Sequence, residues 1–153
     1  MDRELLLKHD ATGFDDLVDA LAGADSAELD RAPARDGWPV RQIVHHVADG
    51  DGNGYVRLRR LLAEDNPTLP DYDEREWATA LRYDGPIEPS LAFMKSARVA
   101  SFGLLQVLSE DDWQRHGTHT ERGTYTMSDW LVDYAEHPHI HADQIRRARQ
   151  GRV

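Results

Sequence analysis

The sequence predicts an all-α, single-domain four-helix bundle over 1–153, and three observations carry that expectation. The length of 153 residues is that of one compact domain. Four segments repeat apolar residues with the period of a helix, and stretches rich in proline and glycine separate them. No convincing alternating strand is present, and Gly123-Thr124-Tyr125 is the only faintly β-like piece.

The first helix is expected from about Arg3 to Ala22, where Phe14, Leu17, Val18 and Leu21 recur at i, i+3, i+4 and i+7 and Gly23 can stop it. The second opens at Trp38-Pro39. Proline suits the first helical turn because its missing N–H would have no intrahelical partner there. This helix runs to about Glu64, with Val40, Ile43, Val47, Gly54, Leu58, Leu61 and Leu62 in one stripe. A long loop follows from Asp65 to Pro89, in which the run Asp71 to Trp77 can form a short helix; loops of this length are usually functional or mobile. The third helix is expected from Glu88 to about Ser109. The fourth opens on the capping box Thr126-Met127-Ser128-Asp129 and runs to about Arg149, with Arg146, Arg147 and Arg149 as a solvated end complementing the helix dipole. Trp38, Trp113 and Trp130 are expected to be packing residues.

Composition narrows the chemistry. Lys plus Arg is 18 against 28 Asp plus Glu, a net charge of −10, and no basic patch offsets it, so neither nucleic acid nor an anionic membrane surface is an expected partner. The start lacks the apolar core of a secretory signal and no stretch approaches the roughly 18 apolar residues of a membrane span, which predicts a soluble, cytoplasmic protein. With no cysteine, disulfides, thiolate metal sites and thiol nucleophiles are excluded. There are eight histidines, and they cluster: His45 adjoins His46, and His137, His139 and His141 crowd into five residues.

Helical phase sorts them. At 100° per residue, Met127, Trp130, Leu131, Tyr134, Ile145 and Ala148 define an inward stripe on the last helix; His141 lies about 40° from its centre, His137 about 80° and His139 about 120°. His137 and His141 therefore share the inward face and His139 points outward. Pro138 removes the hydrogen bond to Tyr134 and predicts a kink or restart between them. Such a pair fits two half-buried polar residues, each hydrogen-bonded to a neighbour, or two ligands of a shared cation that relieves their desolvation. On the second helix His46 lies about 60° from Ile43 on the flank of Gly50, whereas His45 takes the opposite flank; the phase favours His46 by a small margin. Gly50, Gly52 and Gly54 weaken this helix by roughly 1 kcal/mol each, which suggests close approach of a neighbour or room for a substrate.

The block from Trp38 to Asp49 (Trp-Pro-Val-Arg-Gln-Ile-Val-His-His-Val-Ala-Asp), then Glu64-Asp65-Asn66-Pro67, Tyr72-Asp73-Glu74 before Trp77, and Tyr134 followed by His137-x-x-x-His141, together resemble the DinB/YfiT-like superfamily. The likeness is nearest to its YfiT-type members, described as metal-dependent hydrolases, and covers about Asp36 to Arg147. It implies a four-helix bundle, often a dimer, that holds one divalent ion, usually zinc or nickel, by His46, His137 and His141. His45 and His139 are then supporting or surface groups. Pro138 between two ligands, and Pro39 where members often carry a capping serine, depart from the pattern.

Three histidines with an open position resemble a catalytic rather than a structural zinc site. Asp49, three residues after His46, is the candidate for orienting a ligand or accepting a proton, and Asp133, four before His137, is a weaker one. The expected activity is that of a metal-dependent hydrolase on a small molecule, or of a transferase that activates a low-molecular-weight thiol as cosubstrate. Tyr72 and Trp77 of the long loop would help enclose the substrate. A non-catalytic metal-binding stress or interaction protein is the alternative class, and a homodimer is the expected assembly.

Overall fold

The computed structural model describes residues 2–32 and 37–151; Asp36, where the resemblance begins, lies outside them. Four long helices make the bundle: α1 (Arg3–Leu21), α3 (Val40–Ala63), α5 (Glu88–Leu105) and α7 (Met127–Arg149). The short helices α2 (Ser26–Leu29), α4 (Glu74–Ala80) and α6 (Glu110–Trp113) fill the connections. Helix α7 lies along α1, and α3 packs on both α5 and α7. Among the described residues no helix is long and apolar enough to cross a membrane.

The long helices follow the predicted stripes, except that Val18 of α1 is exposed. Leu17, Ile43, Leu58, Leu61, Leu131 and Ile145 are fully buried, and the core divides into two clusters. One surrounds Trp130 and Tyr125 near the start of α7, and the other joins Val40 to Val47 with Ala142, Ile145 and Ala148 near its end. Trp113 and Trp130 are packing residues as expected. The Thr126 capping box forms, with its side chain accepting from Asp129 N–H and that of Asp129 accepting from Thr126 N–H.

Four expectations change. A three-stranded sheet is present, with β1 (Thr68–Leu69) parallel to β2 (His116–His119), and β2 antiparallel to β3 (Gly123–Thr126). Strands this brief leave no run of alternation to read, and β2 buries Gly117 and His119 rather than branched residues. Gly117 is required there, since a Cβ would stand 2.6 Å from the Pro67 carbonyl oxygen. Second, the Asp65–Pro89 segment holds the strand β1 beside the short helix expected in it, α4, which Asp73 caps by accepting from the N–H groups of Arg75 and Glu76. Third, Pro39 is the extended residue before α3 and not its first helical residue. Fourth, α5 ends at Leu105 because Ser109 caps α6 instead.

The terminal arginines are likewise not simply solvated. Arg149 binds Glu28 and the carbonyls of Ala20 and Ala22, and Arg146 binds Asp16, so the end of α7 is tied to α1 and α2.

Two of the glycines in α3 explain how closely α7 approaches. At Gly50 a Cβ would fall 2.6 Å from the His137 ring, and at Gly54 it would fall 2.4 Å from the ring of Tyr134. Trp130 Nε1–H adds a 2.9 Å hydrogen bond to the Gly54 carbonyl. Gly54→Ala is expected to destabilise the protein by about 1–3 kcal/mol through overpacking. Gly103→Ala in α5, where a Cβ meets nothing within 4 Å, should be neutral or gain up to about 1 kcal/mol. Urea denaturation of both variants measures the contrast.

Candidate metal centre

His46 enters from α3, and His137 and His141 enter from successive turns of α7. The three imidazoles meet inside the bundle, each offering a nitrogen, with those atoms all within 4.8 Å of one another. His46 is only 3% exposed. Its Nε2 lies 3.3 Å from His137 Nε2, while the Nδ1 atoms of both rings are buried without a partner. Two nitrogens each about 2.0–2.1 Å from a tetrahedral zinc would stand about 3.3–3.4 Å apart, so the donor set fits a borderline divalent ion. His141 is oriented from within its own helix. Its Nδ1 lies 2.7 Å from Gln144 Oε1; that oxygen only accepts, so Nδ1 carries the proton and Nε2 keeps its lone pair for the centre.

Burial holds all three rings neutral. His46 and His141 are pushed down to about 4, and His137 lies well below its ordinary value, burial being the largest cause and the neighbouring imidazoles adding to it for His137 and His141. Neutral imidazole is the ligand form.

Pro138 stands between the two ligands of α7, yet α7 runs unbroken from Met127 to Arg149. Two neighbours make this possible. Helix α1 gives the ring space at Gly13, where a Cβ would lie 2.3 Å from Pro138 Cγ. The Tyr134 carbonyl, deprived of its helical donor by the proline, accepts instead from Arg98 Nη2 of α5 at 3.0 Å. Arg98 also binds both oxygens of Asp51 on α3, at 2.7 and 2.8 Å, and Asp10 on α1 at 3.2 Å. Burial raises the pKa of Asp10 and of Asp51 against the opposing pull of Arg98.

Asp49 lies one turn beyond His46, and its Oδ2 accepts a short hydrogen bond from the Tyr83 hydroxyl. Burial, and after it this bond to Asp49, raises the Tyr83 pKa. The Trp38 ring stands edge-on to both His46 and Tyr83, at 5.1 and 6.4 Å. Tyr72 and Trp77 pack together with ring centroids 4.3 Å apart. Asp133 is committed elsewhere: it accepts from the Tyr125 hydroxyl and Arg122 beside the sheet. His45 turns to Ser90 Oγ and the Gly85 carbonyl. His139, expected to point outward, is engaged between α7 and α1, where it binds Asp16 at 2.6 Å and stacks on His9 at 3.8 Å. Sequence reasoning missed Tyr83, Arg98, Asp51 and Gln144. Only Gln144 carried a signal, its i+3 spacing from His141.

The family model described as "DinB superfamily" matches residues 10–145. A protein of Oceanobacillus iheyensis named "Putative metal-dependent hydrolase" is 35% identical over 129 residues, covering 84% of this chain and 75% of that protein. One of the same name from Halalkalibacterium halodurans is 33% identical over 124 residues, covering 81% and 72%. The solved structure of YfiT from Bacillus subtilis, described as "a probable metal-dependent hydrolase with an unusual four-helix bundle topology", has a TM-score of 0.90 at 26% identity and covers 100% of this chain and 91% of its own. The mycothiol-dependent maleylpyruvate isomerase structure shares the fold at TM-score 0.76 and 18% identity, covering 95% and 61%.

Two outcomes follow from these contacts. Arg98→Leu strands two buried acids and the Tyr134 carbonyl, and should cost about 3–5 kcal/mol of stability in urea denaturation. The metal-free protein should lose stability as pH falls from 6.5 towards 4, because the unfolded chain takes up protons that the buried imidazoles refuse. This contribution is fully present above 6.5. Its slope is on the order of 1 kcal/mol per pH unit for each fully buried histidine, and denaturation at pH 7 and pH 5 in the presence of chelator measures it.

Proposed function

We propose a function from one established premise: the chain belongs to the DinB superfamily. On this reading the protein is a metal-dependent hydrolase of a small molecule, with His46, His137 and His141 holding one divalent ion, zinc or nickel. The observation that carries it is the convergence of three buried, neutral imidazoles with, among the described residues, no carboxylate in the cluster. Three protein ligands leave a coordination position open, as in catalytic zinc sites. When bound, the ion supplies a Lewis acid.

The remaining work falls to the chain's own groups. Asp49 is the proton acceptor of the reading. Its Oδ2 is held by the Tyr83 hydroxyl, which leaves Oδ1 to take a proton from the attacking nucleophile. Tyr83 is the positioning residue that fixes the carboxylate. Trp38 shields one side of His46, and the packed Tyr72–Trp77 pair would help enclose the substrate. Excluding water in this way strengthens every charge interaction inside.

A second reading keeps the same centre and replaces water by a low-molecular-weight thiol. The cysteine-free chain favours it to this extent, that any sulfur nucleophile must arrive with a cosubstrate.

Metal analysis of purified wild type should find one equivalent, and His46→Ala and His141→Ala should each lose most of it; retention by both variants refutes the ligand assignment. A panel of small esters and amides, beside small thiols offered a generic electrophile, then separates hydrolysis from transfer. Asp49→Asn should keep the metal and lower kcat by about 10²–10⁴. If chelation lowers Tm while nothing in either panel turns over, the metal is structural and both catalytic readings fail.

A further inference from the structure

Arg57 is a buried charged group that the proposed chemistry does not use. It lies on α3 on the same face as His46, Gly50 and Gly54, three turns beyond the histidine and about 16 Å along the axis. Its residue exposure is 9%. Among the described residues, Nη2 donates to the Pro70 carbonyl at 2.6 Å and Nη1 to the Tyr134 hydroxyl at 3.3 Å, while Nε is buried and has no partner. The nearest carboxylate is the half-exposed Asp71, 3.9 Å away.

That leaves a buried guanidinium with two neutral acceptors and a vacant Nε–H. The comparison within the same bundle is Arg98, which meets two carboxylates in full hydrogen-bonding contact. An isolated buried charge is costly, and a guanidinium edge matches the two oxygens of a carboxylate or phosphate. Tyr134 connects this position to the metal centre. Its hydroxyl meets Arg57, its ring fills the notch at Gly54, and His137 lies on the next turn of α7.

We propose that Arg57 is an anion-binding position that takes the carboxylate or phosphate group of the small molecule handled at the histidine centre. The assignment rests on the reading of that centre as a small-molecule site, and it adds that the substrate or cosubstrate is anionic at its non-reacting end.

The test titrates succinate, inorganic phosphate and the neutral succinamide into the protein by calorimetry, in metal-free and metal-loaded form. In the wild type at least one of the two anions should bind 10-fold or more tighter than succinamide, and the tighter of the two names the group. Arg57→Gln should abolish that preference in the metal-free form while metal stoichiometry stays unchanged. Arg57→Lys, which keeps the charge and loses the fork, should fall between. Equal binding of charged and neutral probes by the metal-free wild type, or undiminished anion affinity in metal-free Arg57→Gln, overturns the proposal. Should the glutamine variant fail to fold, the Nε–H resonance of Arg57 in wild-type protein decides, since the anion must shift it and succinamide must not. A wild type that holds no metal refutes the metal reading alone, because the metal-free titration still reports on Arg57.

Discussion

A single guanidinium touches all four long helices of this bundle. Arg98 belongs to α5, grips Asp51 of α3 by both oxygens, reaches Asp10 of α1, and donates to the Tyr134 carbonyl of α7. The last contact has a specific cause. Pro138 deprives that carbonyl of its helical donor, and the carbonyl lies one turn from His137. Without a replacement donor the chain would be left with a buried acceptor unsatisfied beside the first α7 ligand, and α7 would bend to find water. The geometry of the histidine centre thus depends on a residue that approaches it from behind.

Buried ion pairs are weak contributors to net stability, because desolvation consumes most of the Coulombic gain. The upward shifts of Asp10 and Asp51 record this competition, with burial outweighing the arginine. What the cluster supplies is register. Four helices with apolar stripes can slide or rotate by part of a turn at modest cost, but Arg98 can satisfy three partners in only one arrangement. Gly13, Gly50 and Gly54 impose the same arrangement sterically, since each accepts a ring from α7 in a space that a Cβ would occupy. Together the polar lock and the glycine notches set how His137 and His141 face His46.

This division explains what could be read from the sequence. Periodicity is a local property, and it gave the four helices, the Thr126 cap and the inward phase of His137 and His141. The cost of three glycines in one helix pointed to close approach, which Gly50 and Gly54 display and Gly52, facing Phe93 at ordinary contact distance, displays less. His46 was separable from His45 only weakly by phase and more firmly by family pattern. Arg98 and Tyr83 had no local signature, because their partners lie 34 to 88 residues away. The sheet was hidden for another reason: β2 reads His-Gly-Thr-His, and its buried positions are a glycine and a histidine. His139 defeated phase arithmetic because a residue on the flank of α7 still finds α1 beside it, where Asp16 and His9 wait.

The electrostatic plan of the interior follows from the same contacts. The chain carries a charge of −10, yet among the described residues no carboxylate joins the three clustered imidazoles. Asp51 and Asp10 are occupied by Arg98, Asp49 accepts from the Tyr83 hydroxyl, and Asp133 is held by Tyr125 and Arg122. These four acids are therefore each tied to a donor, while Glu74 acts on His141 through its charge. A cation held by three neutral nitrogens keeps its full formal charge, which makes it a stronger Lewis acid than one whose charge a ligating carboxylate already offsets. The proposed anion position at Arg57 extends that logic. His46, which would help hold the ion, and Arg57 lie on a single face of α3, and the ligand that would suit both is a molecule with electron density to offer at each end.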